Sequence, residues 1–179
     1  MSSNPTESAK IRMKANLLFL VAVFMVVLCG CLRDNQRALL RNKQIIGRYF
    51  EGWGNHGDVS VADELIATNV VLRNPPAVVH SLDEYKRGMA AFHTAFPDLH
   101  FTVEDEIAEA DRIVVRWTLR GTQQGEYRGH APAGKTMTIA GSSIFRLADG
   151  KIQEIWVNLD RLGMAEQLGW PAETSPAPK

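Results

Sequence analysis

By residue type and position, Asp160 is the strongest candidate for chemistry in this chain. It stands four residues after Trp156 and directly before Arg161, where a strand-like segment, Lys151 to Asn158, gives way to a helix-like one. Side chains alternate along a strand, so Asp160 shares parity with Glu154, Trp156 and Asn158. If Trp156 faces a pocket, Asp160 lies at or near its wall. A carboxylate beside an indole and apolar walls suits proton abstraction next to a carbonyl. Asp160 is equally well placed to cap the helix that opens at Arg161, and the two roles are compatible. Arg116 sits in mid-strand between apolar neighbours. It could stabilise an enolate or bind a carboxylate, or pair with a neighbouring Glu on the strand face.

Other chemistries have little support. Both cysteines, Cys29 and Cys31, precede the bulk of the chain. From Leu32 onward the chain has no disulfide, thiol nucleophile or cysteine-based metal site. His80, His93 and His100 flank one helical segment without metal-ligand spacing, and His130 stands in a Gly-rich loop that could reach a pocket mouth. Gly52-x-Gly54-x-x-Gly57 has the letters of a dinucleotide motif but follows a helix rather than a strand, so it cannot cradle a pyrophosphate. Gly-x-Ser-x-Gly is absent, which removes the usual esterase elbow. Neither a metal nor a cofactor is therefore expected. With 20 basic and 20 acidic residues and no basic block, nucleic acid is not an expected partner.

The elements that would position these residues follow from periodicity and punctuation. A first helix is predicted from about Asp34 to Trp53, with Leu39, Ile46, Tyr49, Phe50 and Trp53 on one face. A short helix over Val59 to Ala67 and a strand over Val70 to Arg73 come next. Ser81 opens a third helix, with Glu84 at capping-box spacing, and Leu82, Tyr85, Met89, Phe92 and Phe96 share its apolar face. Strands then take over. They are predicted at His100 to Ala108, at Arg112 to Gly121 (where Ile113, Val115, Trp117 and Leu119 alternate with polar residues), at Lys135 to Leu147 and at Lys151 to Asn158. Asp149-Gly150 marks a hairpin. A last helix, Arg161 to Leu168, ends at Gly169, and 170–179 reads as a flexible tail. Helices first and a strand meander after make an α+β order. The helices are expected to pack on one face of a curved antiparallel sheet around a cone-shaped pocket. Tyr49, Trp53, Tyr85, Met89, Phe92, Trp117, Trp156 and Asn158 are its candidate ligand-lining residues, with core packing as the alternative role of the apolar ones.

An ordered set of short motifs resembles one family. The set includes Arg48-Tyr49-Phe50-Glu51-Gly52-Trp53, Phe96-Pro97-Asp98-Leu99, Val115-Arg116-Trp117, Gly121-Thr122 and Pro132-Ala133-Gly134-Lys135. It continues with Asp149-Gly150-Lys151-Ile152, Glu154-Ile155-Trp156, Asp160 and Gln167-Leu168-Gly169. Together these resemble the SnoaL-like polyketide cyclase or ester cyclase group of the nuclear transport factor 2-like superfamily, over 34–169. The resemblance implies a cone-shaped α+β barrel, and its Trp-x-x-x-Asp spacing assigns Asp160 the general acid/base role of an aldol ring closure. Many relatives carry His where this chain has Gln123 and Ile155, so roles resting on those imidazoles do not transfer.

The first 31 residues read as an export signal. Lys10, Arg12 and Lys14 precede an apolar run, Leu17 to Leu28, and small residues come after it. The run is shorter than the ~20 residues of a membrane span. Leu28-Cys29-Gly30-Cys31 resembles a bacterial lipobox, which implies lipidation at Cys31 and a domain facing away from the cytoplasm. A short uncleaved anchor is the alternative. Three functions stay open: a cofactor-independent cyclase, isomerase or hydrolase acting on a small apolar carbonyl compound; a membrane-tethered module that only binds a small hydrophobic or aromatic molecule; and a homodimerising or docking subunit that uses the outer sheet face.

Overall fold

The structure is a computed structural model that describes Met25 and residues 33–171. Cys31 and 172–179 lie outside the described residues, as does the rest of the leader apart from Met25. The chain divides into two compact units, Met1–Leu40 and Arg41–Lys179. In the first, residues 33–40 are helical.

The second unit opens with helix α1, residues 41–55, whose last part, Tyr49–Asn55, is wound as a π-helix. The wide turn brings Tyr49, Phe50, Trp53 and Gly54 to the buried side. Helix α2 (Val59–Leu65) comes next, then strands β1 (Ile66–Asn74) and β2 (Ala77–Val79), helix α3 (Leu82–Ala95), strands β3 (His100–Glu109), β4 (Arg112–Thr122), β5 (Thr136–Ala148) and β6 (Lys151–Leu159), and helix α4 (Arg161–Leu168). Asp58 caps α2 through a bond from the Ser60 amide at 2.8 Å. That helix ends two residues earlier than predicted, because β-branched Ile66, Thr68, Val70 and Val71 favour extended backbone. The short strand β2, unforeseen, pairs back onto the end of β1.

The strands form a six-stranded sheet in the order β2-β1-β6-β5-β4-β3. It is curved and open, with β2 and β3 at its edges. The meander β3 to β6 is antiparallel. The expectation of a wholly antiparallel sheet is corrected at one place: β1 pairs with β6 in parallel. A helix and four strands separate these two in sequence, so no hairpin dictates their relative direction. Asn55 at the end of α1 covers part of the β3 edge, accepting from the Phe101 amide at 2.7 Å and donating to its carbonyl at 3.3 Å.

Period-two patterning appears most plainly in β4. Ile113, Val115, Trp117 and Leu119 are at most 3% exposed, while Arg112, Val114, Arg116 and Arg120 point outward. Ser81 caps α3 as expected, accepting from the Glu84 amide at 3.3 Å. In return the Glu84 carboxylate accepts from the His80 amide, at 3.4 Å, one residue earlier than the box predicts.

Candidate functional site

Helix α3 lies across the inner face of the sheet and leaves a cavity of about 500 Å³. Its helical wall carries Tyr49 and Phe50 of α1 and Tyr85, Met89 and Phe92 of α3. Its sheet wall includes Trp117 and Leu119 of β4, Ser143 of β5, and Val157 and Leu159 of β6. The strands present these residues by alternation, and α3 presents its own by the i, i+4, i+7 spacing of Tyr85, Met89 and Phe92.

Tyr49, Tyr85 and Ser143 place buried hydroxyls on these mostly apolar walls, and half-buried Tyr127 adds a fourth. Tyr49 and Tyr85, 6% and 7% exposed, hydrogen-bond to each other across the two helices. Burial pushes both phenols above the ordinary tyrosine range, Tyr49 well above it. Both therefore stay neutral donors at any physiological pH. Tyr49 is held edge-on by Phe50 and Phe145, with ring centroids 5.3 and 5.1 Å away. On the sheet wall, the Ser143 hydroxyl accepts from the Trp117 indole at 3.0 Å.

Half-buried and exposed lining residues of mostly polar type make the rim. They include Asn74, Glu84, Arg128, His130, Arg161 and Trp170. His130 stacks on Trp170 with ring centroids 4.3 Å apart and planes 8° from parallel. Both are organised by Gln123, which is fully buried. Its amide nitrogen donates toward the carbonyls of Gly125, His130 and Ala131 at 3.1 to 3.2 Å, and its oxygen accepts from the Trp170 indole at 3.1 Å. Trp170, assigned to the tail on sequence grounds, is thus docked onto the domain. Sequence reasoning marked Gln123 only as a departure from a family histidine. Its position between the end of a strand and a Gly-rich loop was the available signal for a loop-organising side chain.

Of the residues singled out from sequence, Tyr49, Tyr85, Met89, Phe92 and Trp117 line the cavity. Trp53, Trp156, Asn158, Asp160 and Arg116 do not. Trp53 is buried behind Tyr85, edge to face at 5.7 Å. The parity expected for β6 is corrected by a bulge. Leu147 pairs with Ile152 but Arg146 pairs with Glu154, so Gln153 is an extra residue on β6. Ile152 is buried before the bulge and Ile155 after it, and Val157 and Leu159 continue on the inner side. Trp156 is thereby turned outward, between the guanidinium groups of Arg73 and Arg112 at 5.0 and 5.5 Å. Glu154 accepts from Arg146 and Arg73, both at 2.7 Å, and those bonds hold its carboxyl below the usual range. Asn158 and Arg116 are exposed on the same outer face.

Asp160 is also exposed, and its carboxylate caps α4 by accepting from the Gly163 amide at 2.8 Å. Its own amide donates to the Ala140 carbonyl at 3.1 Å, which ties the cap to the sheet. A Cβ at position 163 would collide with the Asp160 carboxylate, so glycine is required there for the cap to close. Among the described residues, no cluster of His, Cys, Asp or Glu is arranged to hold a metal ion, and no helix is long and apolar enough to cross a membrane.

With this geometry in view, the chain can be placed among known proteins. The family model described as SnoaL-like polyketide cyclase matches residues 43–168. A SnoaL-like protein from Jannaschia Sp. CCS1 is 27% identical and superposes with a TM-score of 0.69 over 74% of this chain and 94% of its own. AclR from Streptomyces galilaeus is 29% identical, with a TM-score of 0.65 over 73% of this chain and 97% of its own. IdmH from Streptomyces antibioticus is 28% identical, with a TM-score of 0.64 over 72% and 98%. No curated protein matches the chain.

Proposed function

This chain belongs to the SnoaL-like polyketide cyclase family, and on that premise we propose that it binds a small, mostly apolar carbonyl compound in the cavity between α3 and the sheet. The cavity carries the reading. Its volume of about 500 Å³ falls in the range of small-molecule sites, and its walls are apolar with few, well-placed polar groups.

The reaction is not read from the family name. IdmH has been put forward as a polyketide cyclase and AclR as a hydroxylase, so one fold serves more than one assigned chemistry. The finer proposal is cofactor-independent acid/base catalysis with Asp160 moving the proton. Its support is position: Asp160 stands between the lining residues Leu159 and Arg161. The second reading is a module that holds its ligand unchanged. It is favoured by the engagement of the Asp160 carboxylate in capping α4.

We also place the domain on the outer side of a membrane through lipid on Cys31, on the strength of the leader's basic head, short apolar run and lipobox-like end. A cytoplasmic synthase would not deliver its product there, which favours a carbonyl ligand from another source.

Mass spectrometry of small molecules that copurify with the full chain tests the function. Turnover of the compound found is then compared between wild type and Asp160→Asn. Retained binding with lost turnover supports the enzyme. Binding without turnover in either protein supports the carrier. Absence of any bound apolar compound, with no binding from a panel of aromatic ketones, overturns both. Incorporation of a fatty-acid tracer by wild type but not by Cys31→Ala supports the anchor, and equal labelling overturns it.

A further inference from the structure

Counting protons in the cavity specifies which part of a ligand belongs at its helical wall. Tyr49 and Tyr85 each bring one O–H. The bond between them uses one proton, whichever residue donates. The second proton has no acceptor among the described residues, and both phenols line the cavity. Ser143 repeats the arrangement on the sheet wall: its oxygen accepts from Trp117, and its own proton is left for a further acceptor. Each site therefore presents a donor and calls for a lone pair.

The two phenols are packed differently. Tyr85 has Trp53 behind it, edge to face, and Tyr49 is enclosed by Phe50 and Phe145. Phe50, Met89 and Phe92 complete the helical wall that the pair belongs to, so a ligand oxygen there has few competing partners. Leaving a buried O–H unpaired costs about 1–3 kcal/mol, and an acceptor oxygen recovers that cost.

We infer that the Tyr49–Tyr85 pair is the oxygen-recognition element of this cavity. Tyr85 donates to a carbonyl or enolate oxygen of the ligand, and Tyr49 donates to Tyr85 from behind. A donor that is itself receiving a hydrogen bond is polarised and donates more strongly. In a water-poor site such a relay favours the oxyanion over the neutral carbonyl, because hydrogen bonds to charged acceptors are roughly twice as strong. Ligands are thus selected by an acceptor oxygen on an apolar frame. A group that can only donate, such as an ammonium, finds no partner in that direction and is disfavoured. This deepens the proposed function and rests on it.

Two probes of nearly the same shape test the assignment: 2-acetylnaphthalene, which carries the oxygen, and 2-ethylnaphthalene, which does not. Affinity is read from tryptophan fluorescence, and the carbonyl stretch of the bound ketone from difference infrared spectra. Wild type is expected to prefer the ketone by about tenfold, equal to about 1.4 kcal/mol, and to lower its carbonyl frequency. Tyr85→Phe is expected to lose both effects while binding 2-ethylnaphthalene as wild type does, which also reports an intact fold. Tyr49→Phe is expected to keep part of the preference, since Tyr85 still donates. Equal affinity of wild type for the two probes, or an unchanged carbonyl frequency in Tyr85→Phe, overturns this inference and leaves the apolar pocket standing. Failure of wild type to bind either probe overturns the pocket reading itself.

Discussion

The indole N–H of Trp170 donates to the side-chain oxygen of Gln123 across 3.1 Å, joining the chain beyond α4 to the loop beyond β4. The same side chain bonds three carbonyls of that loop, so one buried amide closes the rim of the cavity. Gln123→Leu keeps comparable bulk but leaves those groups without partners. A loss of about 3 kcal/mol is expected, or roughly 6–12 °C in Tm for a domain of this size. Trp170→Phe removes one bond and keeps a ring against His130, and about 1 kcal/mol is expected. Thermal melts of the two variants check the ratio.

Asp160 is a cap whether or not it is also a base. Asp160→Ala should cost about 1 kcal/mol of stability, whereas Asp160→Asn, which caps as well, should cost almost nothing. Urea melts give the comparison. If Asp160 also transfers a proton, Asp160→Asn loses turnover at unchanged stability, a separation that the alanine variant cannot provide.

Gly141 is required by its neighbour. A Cβ there would fall inside van der Waals contact with the Trp117 ring. That ring cannot easily retreat, since Ser143 holds its indole and Phe101 packs edge-on at 5.3 Å. Gly141→Ala is expected to destabilise by about 1–3 kcal/mol, and to weaken the aromatic ketone as Trp117 is displaced. A variant as stable as wild type would show that the ring has room to move.

The buried tyrosines set the alkaline limb of stability. Burial raises both phenols in the folded state, whereas the unfolded chain ionises near the ordinary value of about 10. Below that value both states are protonated and the contribution is fully present. As pH rises above about 10, the unfolded state loses protons first and stability falls, until the folded phenols ionise too. Tyr49→Phe should flatten this decline, measured by urea midpoints from pH 9 to 11. An unchanged slope would mean that Tyr49 is accessible to hydroxide in the folded protein.

Much of the fold is written locally. The alternation from Ile113 to Leu119 places β4 with its inner face correct, because a pleated strand has no other period. Asp149 and Gly150 take positive φ, 53° and 74°, as a two-residue hairpin demands. Ser81, Asp160 and Gly169 punctuate their helices through bonds to residues within four positions. The apolar face of α3, with Tyr85, Met89 and Phe92, needs only helical spacing to be recognised, and it becomes the helical wall of the cavity.

Tertiary structure decided what depends on distant partners. One bulge at Gln153 reverses the parity of the rest of β6, sending Trp156 out and Val157 and Leu159 in. The uneven spacing of Ile152, Ile155 and Val157 carried that signal, but a bulge is defined only against the neighbouring strand. Tyr49 and Tyr85 are 36 positions apart, and no periodicity says that two hydroxyls on different helices will meet. Sequence by itself thus determined the elements, their caps and most of the inner faces, since those are set by backbone geometry and neighbours along the chain. Only the packed structure decided which polar atoms share a desolvated space. That outcome depends on how α1, α3 and the sheet come together, and it moved the candidate chemistry from Asp160 at the outer end of β6 to the tyrosine pair inside the cavity.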